Sequence, residues 1–592
     1  MKNPYPQAPA LREYSAESGF CSAAADRSVI AKDIPCQEAC PAATNVPLYI
    51  EYLSRGDWAG AYAVNLACNV FPGSLGRICT RPCQDRCRHQ WTNTNGPVTI
   101  CHLKRSAADR AAGAAVAPPP WFGASGKRVA VVGGGPAGLT AARELRRLGH
   151  AVTLFEREPH LGGMMVDGIP RFRLPHEVVQ REIDLIVGTG VEVRLGEAVD
   201  AARLQELAGT YDAVCVATGT TRENRVEIPG IPEELIRSGL AFMRGYNRGE
   251  IGRLEGDVVV IGGGFTAVDC ARAAARAARK LLGAEGSVSV MYRRTEQYMA
   301  AHPDELEEMA RECIAVRTLV TAVSGTVEAG RLQSVTFQRN VLKAGAAGGK
   351  PEIVPVEGSA FTVPCSTLIV AIGQSRDLGV LPAGVAPTSG FRTSAPGVFV
   401  TGDFATGSDN VIKAVANGKA VAREMDAFLT GRRRLEDGVS LERLGNEGDT
   451  GRLRDHDLVT PQAMPVIPVS ARAPGDAEVE AGLDDGETAC NARRCYLCHY
   501  KFEIDSDLCI QCNWCIDAAP RPCIKRVARV TRDADGAVAQ VEETKEADAT
   551  TYIWIDSNAC IRCGKCLRVC PTGAISLKRA ARETRPCAAD PS

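Results

Sequence analysis

Short apolar runs, glycine turns and helix-period stretches alternate through the middle of the chain. From Lys127 the order is an apolar run (RVAVV), a glycine turn (GGGPAG), an amphipathic stretch (LTAARELRRL), a glycine stop at Gly149 and a second apolar run (AVTLFE). Short runs bounded by glycine predict strands, and the stretch between them predicts a helix, so the segment reads as a βαβ unit. A second copy opens at Asp257, with VVVI, GGGFTA, VDCARAAARAARKLL and SVSVMY in the same order. Two such units predict an α/β protein with two dinucleotide sites. Beyond about Asp426 the pattern decays into a charged, proline-bearing stretch reaching about Thr488. Further on, ARVTRDADGAVAQVEE predicts a β-hairpin turning at Asp535-Gly536. In HPDELEEMARE the acids Glu305, Glu307 and Glu308 read as a solvated helix face.

Composition then bounds the class. The 592 residues, 45% hydrophobic, allow three or four compact domains of about 100 to 200 residues each. A net charge of -1 provides no field for nucleic acid or an anionic membrane. No run approaches the roughly 18 consecutive apolar residues of a membrane span, and the opening MKNPYPQAPALREYS lacks a signal-peptide core. A cytoplasmic chain without membrane insertion is expected. Cysteine changes the picture most. Of 24, eight lie before residue 102 and eleven between 490 and 570, with Cys587 alone in the tail. Such clustering in a large chain fits reduced thiolates on metal better than disulfides. The scattered Cys215, Cys270, Cys313 and Cys365 read as small core residues.

Two runs carry a specific spacing: Cys509-x2-Cys512-x2-Cys515 with Cys523, and Cys560-x2-Cys563-x2-Cys566-x3-Cys570-Pro571. In two-cluster bacterial ferredoxins three such thiolates close on one iron–sulfur cubane and the fourth, before proline, ligates the other. Cys509, Cys512, Cys515 and Cys570 are thus expected on one [4Fe–4S] cluster, and Cys560, Cys563, Cys566 and Cys523 on the other. Zinc ribbons also use C-x2-C pairs. The seven residues between Cys515 and Cys523, Pro520 and Pro522 among them, depart from the usual three.

In the first glycine turn Gly133, Gly135 and Gly138 stand at GxGxxG positions, with Pro136 and Ala137 opening the helix. The first glycine permits the tight turn, the second lets backbone reach a pyrophosphate and the third brings helix against strand. The helix N-terminus offers N–H groups to phosphate, and Glu156 at the end of the second strand is placed for a ribose hydroxyl. In the second turn Gly262, Gly264 and Ala267 take these roles around Phe265 and Thr266, but Tyr292 aligns with Glu156, and Arg293 and Arg294 follow. A carboxylate there would repel a 2′-phosphate that a guanidinium can grip, which favours NADP(H) over NAD(H). The alternative is that these arginines cap a surface strand.

The stretches CPAATNVP, GRICTRPCQDRC, VAVVGGGPAGLTAA, LGGMMVDGIPRFRLPHEVVQREI, YDAVCVATGT, VVVIGGGFTAVDCARAA, VMYRRT and GVFVTGDFATGSDNVIKAVANGKAVA, spread over roughly residues 33 to 428, resemble the small, electron-delivering subunit of bacterial glutamate synthase and its relatives, including the corresponding part of dihydropyrimidine dehydrogenase. The resemblance implies FAD on the first unit and the nicotinamide nucleotide on the second, inserted unit. It also implies that Gly162, Gly163 and the Gly168-Ile169-Pro170 turn lie near the flavin, that Thr218-Gly219 marks the crossover between domains, and that Gly402-Asp403 closes the FAD site. By the same resemblance Cys40, Cys79, Cys83 and Cys87 form one cluster site, with Arg77, Arg81, Arg86 and Arg88 offsetting thiolate charge. The C-x2-C pair that relatives place before the residue matching Cys36 is absent; Cys21, Cys36, Cys68 and Cys101 remain for a rearranged cluster or for the core. Cys490, Cys495 and Cys498 resemble an RCxxC stretch of some relatives and lack a fourth ligand, for which Cys587 and His499 are candidates.

The expected architecture is therefore α/β, with two nested Rossmann-like dinucleotide-binding domains preceded by a helical iron–sulfur domain and followed by an α+β ferredoxin-like domain. Its expected parts are an iron–sulfur head (1–105), a linker (106–126), an FAD-binding domain in two pieces (127–225 and 366–428) around an NAD(P)H-binding domain (226–365), a second linker (429–488) and the ferredoxin-like domain (489–592). Three to five [4Fe–4S] clusters, FAD and NADP(H) or NAD(H) are the expected cofactors. No acid–base catalytic group is expected, because the chemistry belongs to the cofactors. The expected role is an electron-transfer flavoprotein subunit serving a partner such as a 2-oxoacid oxidoreductase or a glutamate synthase-like enzyme. The alternatives are a stand-alone NAD(P)H:ferredoxin oxidoreductase and a redox-sensing or scaffold protein.

Overall fold

A computed structural model describes residues 34–92, 95–111, 113, 116–278, 287–344, 351–445, 450–472, 475–532, 538–546 and 548–587. The chain forms two compact units. One comprises the segments up to Trp121, Asp426–Met464 and from Gly482 onward; the other comprises Phe122–Met425 and Pro465–Ala481.

The nucleotide unit is built on two parallel five-stranded sheets. In the first, Arg128–Val132 lies between Ala151–Glu156 and Ala213–Val216, with Glu192–Leu195 and Val398–Val400 at the edges. The central strand is apolar after its exposed first residue, Arg128, as burial on both faces demands: Val129, Ala130 and Val131 are fully buried. In the second, Val258–Ile261 lies between Val288–Tyr292 and Thr367–Val370, flanked by Ala315–Thr318 and Ile236–Ser238. Each sheet reverses its strand order beside the strand that feeds its glycine turn, which is where open α/β sheets bind ligands. An antiparallel arm, led by Val320–Glu328 and Arg331–Lys343, extends from the second.

The other unit joins the cysteine-rich head to the C-terminal part. Helices Val46–Ser54, Trp58–Asn69 and Ile100–Ala111 share one hydrophobic core with strands Tyr500–Ile504, Tyr552–Ile555 and Ile575–Pro586. Asn45 and Asp57 cap the first two helices, accepting from Leu48 and Gly60 N–H at 3.4 and 2.7 Å, worth about 1 kcal/mol each. The hairpin strands appear as Ile524–Arg532 and Val538–Glu543, while their turn lies outside the described residues.

Two expected linkers differ from the reading. Helix Ile100–Ala111 runs into the first. In the second, Leu435–Gly445 is a strand paired antiparallel with Ile575–Pro586, and it buries Leu435 and Val439. The expected solvated face of helix Pro303–Arg311 also differs. Only Glu307 is well exposed; Glu305 pairs with Arg173, and Glu308 with Arg472 at 2.6 Å. Distant arginines convert that face into an ionic seam. No helix of the described residues is long and apolar enough to cross a membrane.

Candidate functional site

At the first glycine turn Gly133 has φ +109°, and a Cβ there would sit 2.5 Å from the Ala217 carbonyl oxygen, so only glycine fits between the strands. A Cβ on Gly138 would run into the Gly133 carbonyl, which is the close helix–strand approach read from the sequence. Gly135 is the opposite case. A Cβ there meets no protein atom within 4 Å, and it caps helix Pro136–Arg147. That open approach beside a helix N-terminus suits a pyrophosphate. Around it the chain gathers the other candidates. Gly162 N–H donates to the Gly134 carbonyl at 2.9 Å, and Gly163 lies on Gly135. Thr218 and Gly219 follow directly on Ala217, whose N–H donates to the Val132 carbonyl at 2.7 Å. Gly402 rests on Ala137 after Thr401 bonds to Val216. Burial pushes the neighbouring Asp403 carboxyl up to about 6. Glu156 accepts from Gly134 N–H at 2.6 Å and Glu158 N–H at 2.9 Å, so its carboxylate lies on the turn itself.

The second turn repeats this construction. A Cβ on Gly262 would run into the Ala371 carbonyl, and one on Gly264 meets no protein atom within 4 Å at the head of helix Phe265–Ala277. Phe265 and Thr266 are half-buried and Ala267 is buried. Where Glu156 stands in the first unit, the Tyr292 ring lies against Gly263, and its hydroxyl donates to the Tyr298 carbonyl at 2.8 Å. Arg293 is exposed and Arg294 half-buried, with the Nε of Arg294 buried and unpartnered. Among the described residues no carboxylate pairs with either guanidinium.

Sixteen cysteines gather in four sets, all in the other unit; of the scattered four, Cys215, Cys270 and Cys365 are buried, while Cys313, expected in the core, is exposed where the chain leaves helix Pro303–Arg311. Cys509, Cys512, Cys515 and Cys570 line one recess of about 330 Å³ including its mouth. Cys523 lies with Cys560, Cys563 and Cys566, its thiol within hydrogen-bonding reach of Cys560. Both sets have the crossed composition expected from the spacing, and the long Cys515–Cys523 segment does not take Cys523 out of its set. In the head, Cys40, Cys79, Cys83 and Cys101 lie together, all within electrostatic range of Lys104. Cys101 takes the place expected for Cys87, because helix Ile100–Ala111 turns it toward Cys79 and Cys83. Cys87 instead meets Cys36, Cys495 and Cys498.

Burial and the neighbouring Cys498, Cys87 and Cys495 push the Cys36 thiol well up; the hydrogen bond to Cys79 lowers Cys101, but the one to Cys83 and burial outweigh it and raise that thiol to about 12. Crowded thiols of this kind lose their protons when metal supplies positive charge. Among the described residues no group of three or more His, Cys, Asp and Glu is arranged around a single ion. Two of the sets, Cys509/Cys512/Cys515/Cys570 and Cys36/Cys87/Cys495/Cys498, each line a recess instead, as a cubane with four ligated corners requires.

Lys104 escaped the sequence reading. It is buried, donates to Asn69 Oδ1 at 2.9 Å, and is the cation among the head thiols. The signal was its place three residues after Cys101 on one helix. Of the arginines expected there, Arg77 pairs with Asp109 at 2.9 Å, while Arg88 is buried near Cys560. His499 does not complete a cysteine site: its Nε2 meets Glu51 Oε2 at 2.8 Å. Among the described residues Cys490 and Cys587, both half-buried, join none of the four sets; Cys68 is also half-buried, and Cys21 lies outside the described residues.

Three families match the chain: pyridine nucleotide-disulphide oxidoreductase over residues 127–418, dihydropyrimidine dehydrogenase domain II with its 4Fe-4S cluster over 11–116, and a 4Fe-4S binding domain over 553–576. Among curated relatives, the NADP(+)-dependent formate dehydrogenase subunit beta of Moorella thermoacetica is 33% identical, the match covering 78% of this chain and 70% of that one. The NADPH-Fe(3+) oxidoreductase subunit beta of Geobacter sulfurreducens is 30% identical over 78% of this chain and 75% of its own. The glutamate synthase [NADPH] small chain of Mycobacterium tuberculosis is 33% identical over 67% of this chain and 86% of its own. With its two nucleotide turns, its cysteine-rich helical head and its ferredoxin-like end, the chain belongs to the glutamate synthase small chain-like family of NAD(P)H-dependent FAD and [4Fe–4S] oxidoreductases.

Proposed function

We propose that this chain is the NADP(H)-handling, electron-transferring subunit of a larger oxidoreductase, exchanging electrons between the nucleotide and a separate catalytic subunit. The observation that carries it is the combination in one chain of two nucleotide turns with four cysteine sets. The bound groups supply the redox chemistry: hydride from a nicotinamide, one- or two-electron exchange at a flavin, and single electrons at clusters. The residues bind and orient them. Gly133 to Gly138, Gly162, Gly163, Thr218, Gly219, Gly402 and Asp403 cradle FAD, and Glu156 turns from the Gly134 N–H toward a ribose hydroxyl. Gly262, Gly264 and the head of helix Phe265–Ala277 hold the second pyrophosphate, with Arg293 and Arg294 on the 2′-phosphate. Cys40/Cys79/Cys83/Cys101 and the two ferredoxin-type sets hold three cubanes.

Relatives named as beta subunits or a small chain support the subunit reading, and the formate dehydrogenase relative points to a formate dehydrogenase-type or similar catalytic partner. The test is anaerobic purification of the native protein followed by reduction with NADPH. A stable complex with a catalytic oxidoreductase subunit, and flavin bleaching by NADPH, are expected. If the chain elutes alone and reduces a soluble ferredoxin as fast as NADPH reduces it, the stand-alone reading replaces this one.

A further inference from the structure

One of the four cysteine sets joins the two ends of the chain. Cys36 sits on helix Pro35–Ala39, Cys87 follows the Pro82–Asp85 turn, and Cys495 and Cys498 follow helix Asp485–Arg493. All four line one recess of about 330 Å³ including its mouth, walled by Ile50, Val98 and Ile100.

Three features of that recess match an iron–sulfur site. The first is local backbone. Leu497 has φ +49° and its N–H points at Cys495 Sγ, 3.4 Å away; Arg562 has φ +58° and its N–H points at Cys560 Sγ, also 3.4 Å away. Gln511 holds the same place after Cys509 with φ +54°, and Arg81 after Cys79 with φ +60°. Non-glycine residues rarely adopt this conformation, and its recurrence two residues after a cysteine in all four sets marks one kind of loop. Turning an N–H onto a cysteine sulfur is a device that tunes and steadies clusters. The second is His89, which lines the recess and is 1% exposed; its Nδ1 faces the Gly96 carbonyl at 2.8 Å and its Nε2 has no partner. The third is charge. Arg452 donates to the Cys495 and Ile561 carbonyls at 2.7 and 2.6 Å, and Arg494 to the Pro97 and Asn95 carbonyls at 2.6 and 2.8 Å. Both guanidiniums are buried, Arg452 within electrostatic range of Cys495 and Arg494 of Cys87, where they offset thiolate charge.

We propose that Cys36, Cys87, Cys495 and Cys498 ligate a fourth [4Fe–4S] cluster, built jointly by the head and the C-terminal segment. Each thiol gives up its proton as its Fe–S bond forms, with no change of oxidation state. The site neighbours the others. Tyr49, donating to the Ile100 carbonyl at 2.7 Å, stands within electrostatic range of Cys83 and Cys101 of the head set and of Cys36 and Cys495 of this one. Arg88 lines the recess and reaches toward Cys560. A cluster here makes the head set and the ferredoxin-type sets one relay. That role rests on the proposed electron transfer; the ligation does not.

The test is iron, acid-labile sulfide and zinc analysis of the full-length chain prepared without oxygen, with flavin bleaching by NADPH followed alongside. About sixteen iron and sixteen sulfide per chain are expected, with negligible zinc. Cys495→Ser/Cys498→Ser, and separately Cys36→Ser, should each lose about four iron and keep FAD and its bleaching, while Cys490→Ser loses none. About twelve iron in the unaltered chain, a zinc ion in place of the difference, or undiminished iron in the double variant would overturn the proposal. Should the double variant be insoluble, the count on the unaltered chain and on Cys36→Ser decides. Failure of NADPH to bleach a flavin in a chain with full iron would sink the functional reading and leave this ligation standing.

Discussion

The two glycine turns of the nucleotide unit are the same backbone with opposite chemistry at one position. Gly133 N–H donates to Phe155 and Gly262 N–H to Met291, at 2.8 and 3.1 Å; Ala217 N–H donates to Val132 and Ala371 N–H to Ile261, at 2.7 and 2.8 Å. Even the loop that backs each turn is repeated, Gly162 onto Gly134 and Ala300 onto Gly263, at 2.9 and 3.0 Å. What differs is the residue that ends the second strand. Glu156 puts a carboxylate on its turn, and Tyr292 puts an aromatic ring there with two arginines behind it. The backbone decides that a pyrophosphate docks; the strand end decides what the adjoining ribose carries.

The helices behind the turns are also anchored differently, and this gives the largest expected effect. In Pro136–Arg147, Glu144 pairs with Arg143 and Arg147 of its own helix, at 3.4 and 3.1 Å. In Phe265–Ala277, Arg272 and Arg276 converge on Glu312, at 2.9 and 3.0 Å, where Arg472 also arrives at 2.7 Å. Glu312 is 1% exposed. Glu312→Gln takes the carboxylate from buried Arg276 and leaves Arg272 and Arg472 only Glu308, and should cost about 3 to 5 kcal/mol. Amide exchange should accelerate in Phe265–Ala277 far more than in Pro136–Arg147. Burial alone would raise the Glu312 carboxyl, but Arg272 and Arg276 hold it at about 2, below its ordinary 4.5. The stabilisation is therefore complete above pH 4.5 and is lost as pH falls toward 2, an acid limb that Glu312→Gln should flatten. Equal exchange in both helices would show that the seam contributes nothing.

Next come the glycines. Gly138→Ala drives a methyl into the Gly133 carbonyl and should destabilise the first turn by about 1 to 3 kcal/mol. Gly135→Ala and Gly264→Ala place the methyl where no protein atom lies, so the fold should stand and only the nucleotide should suffer. Flavin content should drop in the first variant and NADPH affinity in the second, each by roughly 10- to 100-fold, the same 1 to 3 kcal/mol expressed as binding. A Gly135→Ala protein that keeps its flavin would remove the pyrophosphate from that position.

These turns were legible because their signal is local: in the first unit three glycines, a strand and a helix lie within the twenty residues from Arg128 to Arg147. The ferredoxin-type sets were legible for the same reason. The head was not, since Cys87 leaves its neighbours for Cys495 and Cys498 at the other end of the chain, and spacing carries no information about such closure. The local clue was present in RCYLC, which folds like CIRC around Cys560, but a turn does not name its distant partners. Strand Leu435–Gly445 was masked in the same way. Its apolar positions Leu435, Val439 and Leu441 are diluted by charge, and its partner strand lies beyond Ala574. Glu305 and Glu308 looked solvated because Arg173 and Arg472 come from other segments.

The narrowest effects, confined to one nucleotide, should be the most diagnostic, because they act on the one position where the turns differ. Arg293→Ala with Arg294→Ala removes two guanidiniums beside the second turn, where charge-assisted bonds to a 2′-phosphate are worth about 1.5 to 3 kcal/mol. NADPH should weaken by roughly 10- to 100-fold, while NADH, which lacks that phosphate, should hold within about twofold. Equal losses would mean that the arginines only cap the strand. The mirror experiment is Tyr292→Glu, which copies the first turn onto the second. Its carboxylate would repel a 2′-phosphate and accept from a ribose hydroxyl, so the ratio of NADPH to NADH affinity should fall further, and high salt should narrow the gap by screening the exposed charges. The first turn gives the internal control. Flavin content should be unchanged in both variants, because the Glu156 contact to Gly134 N–H belongs to a separate sheet.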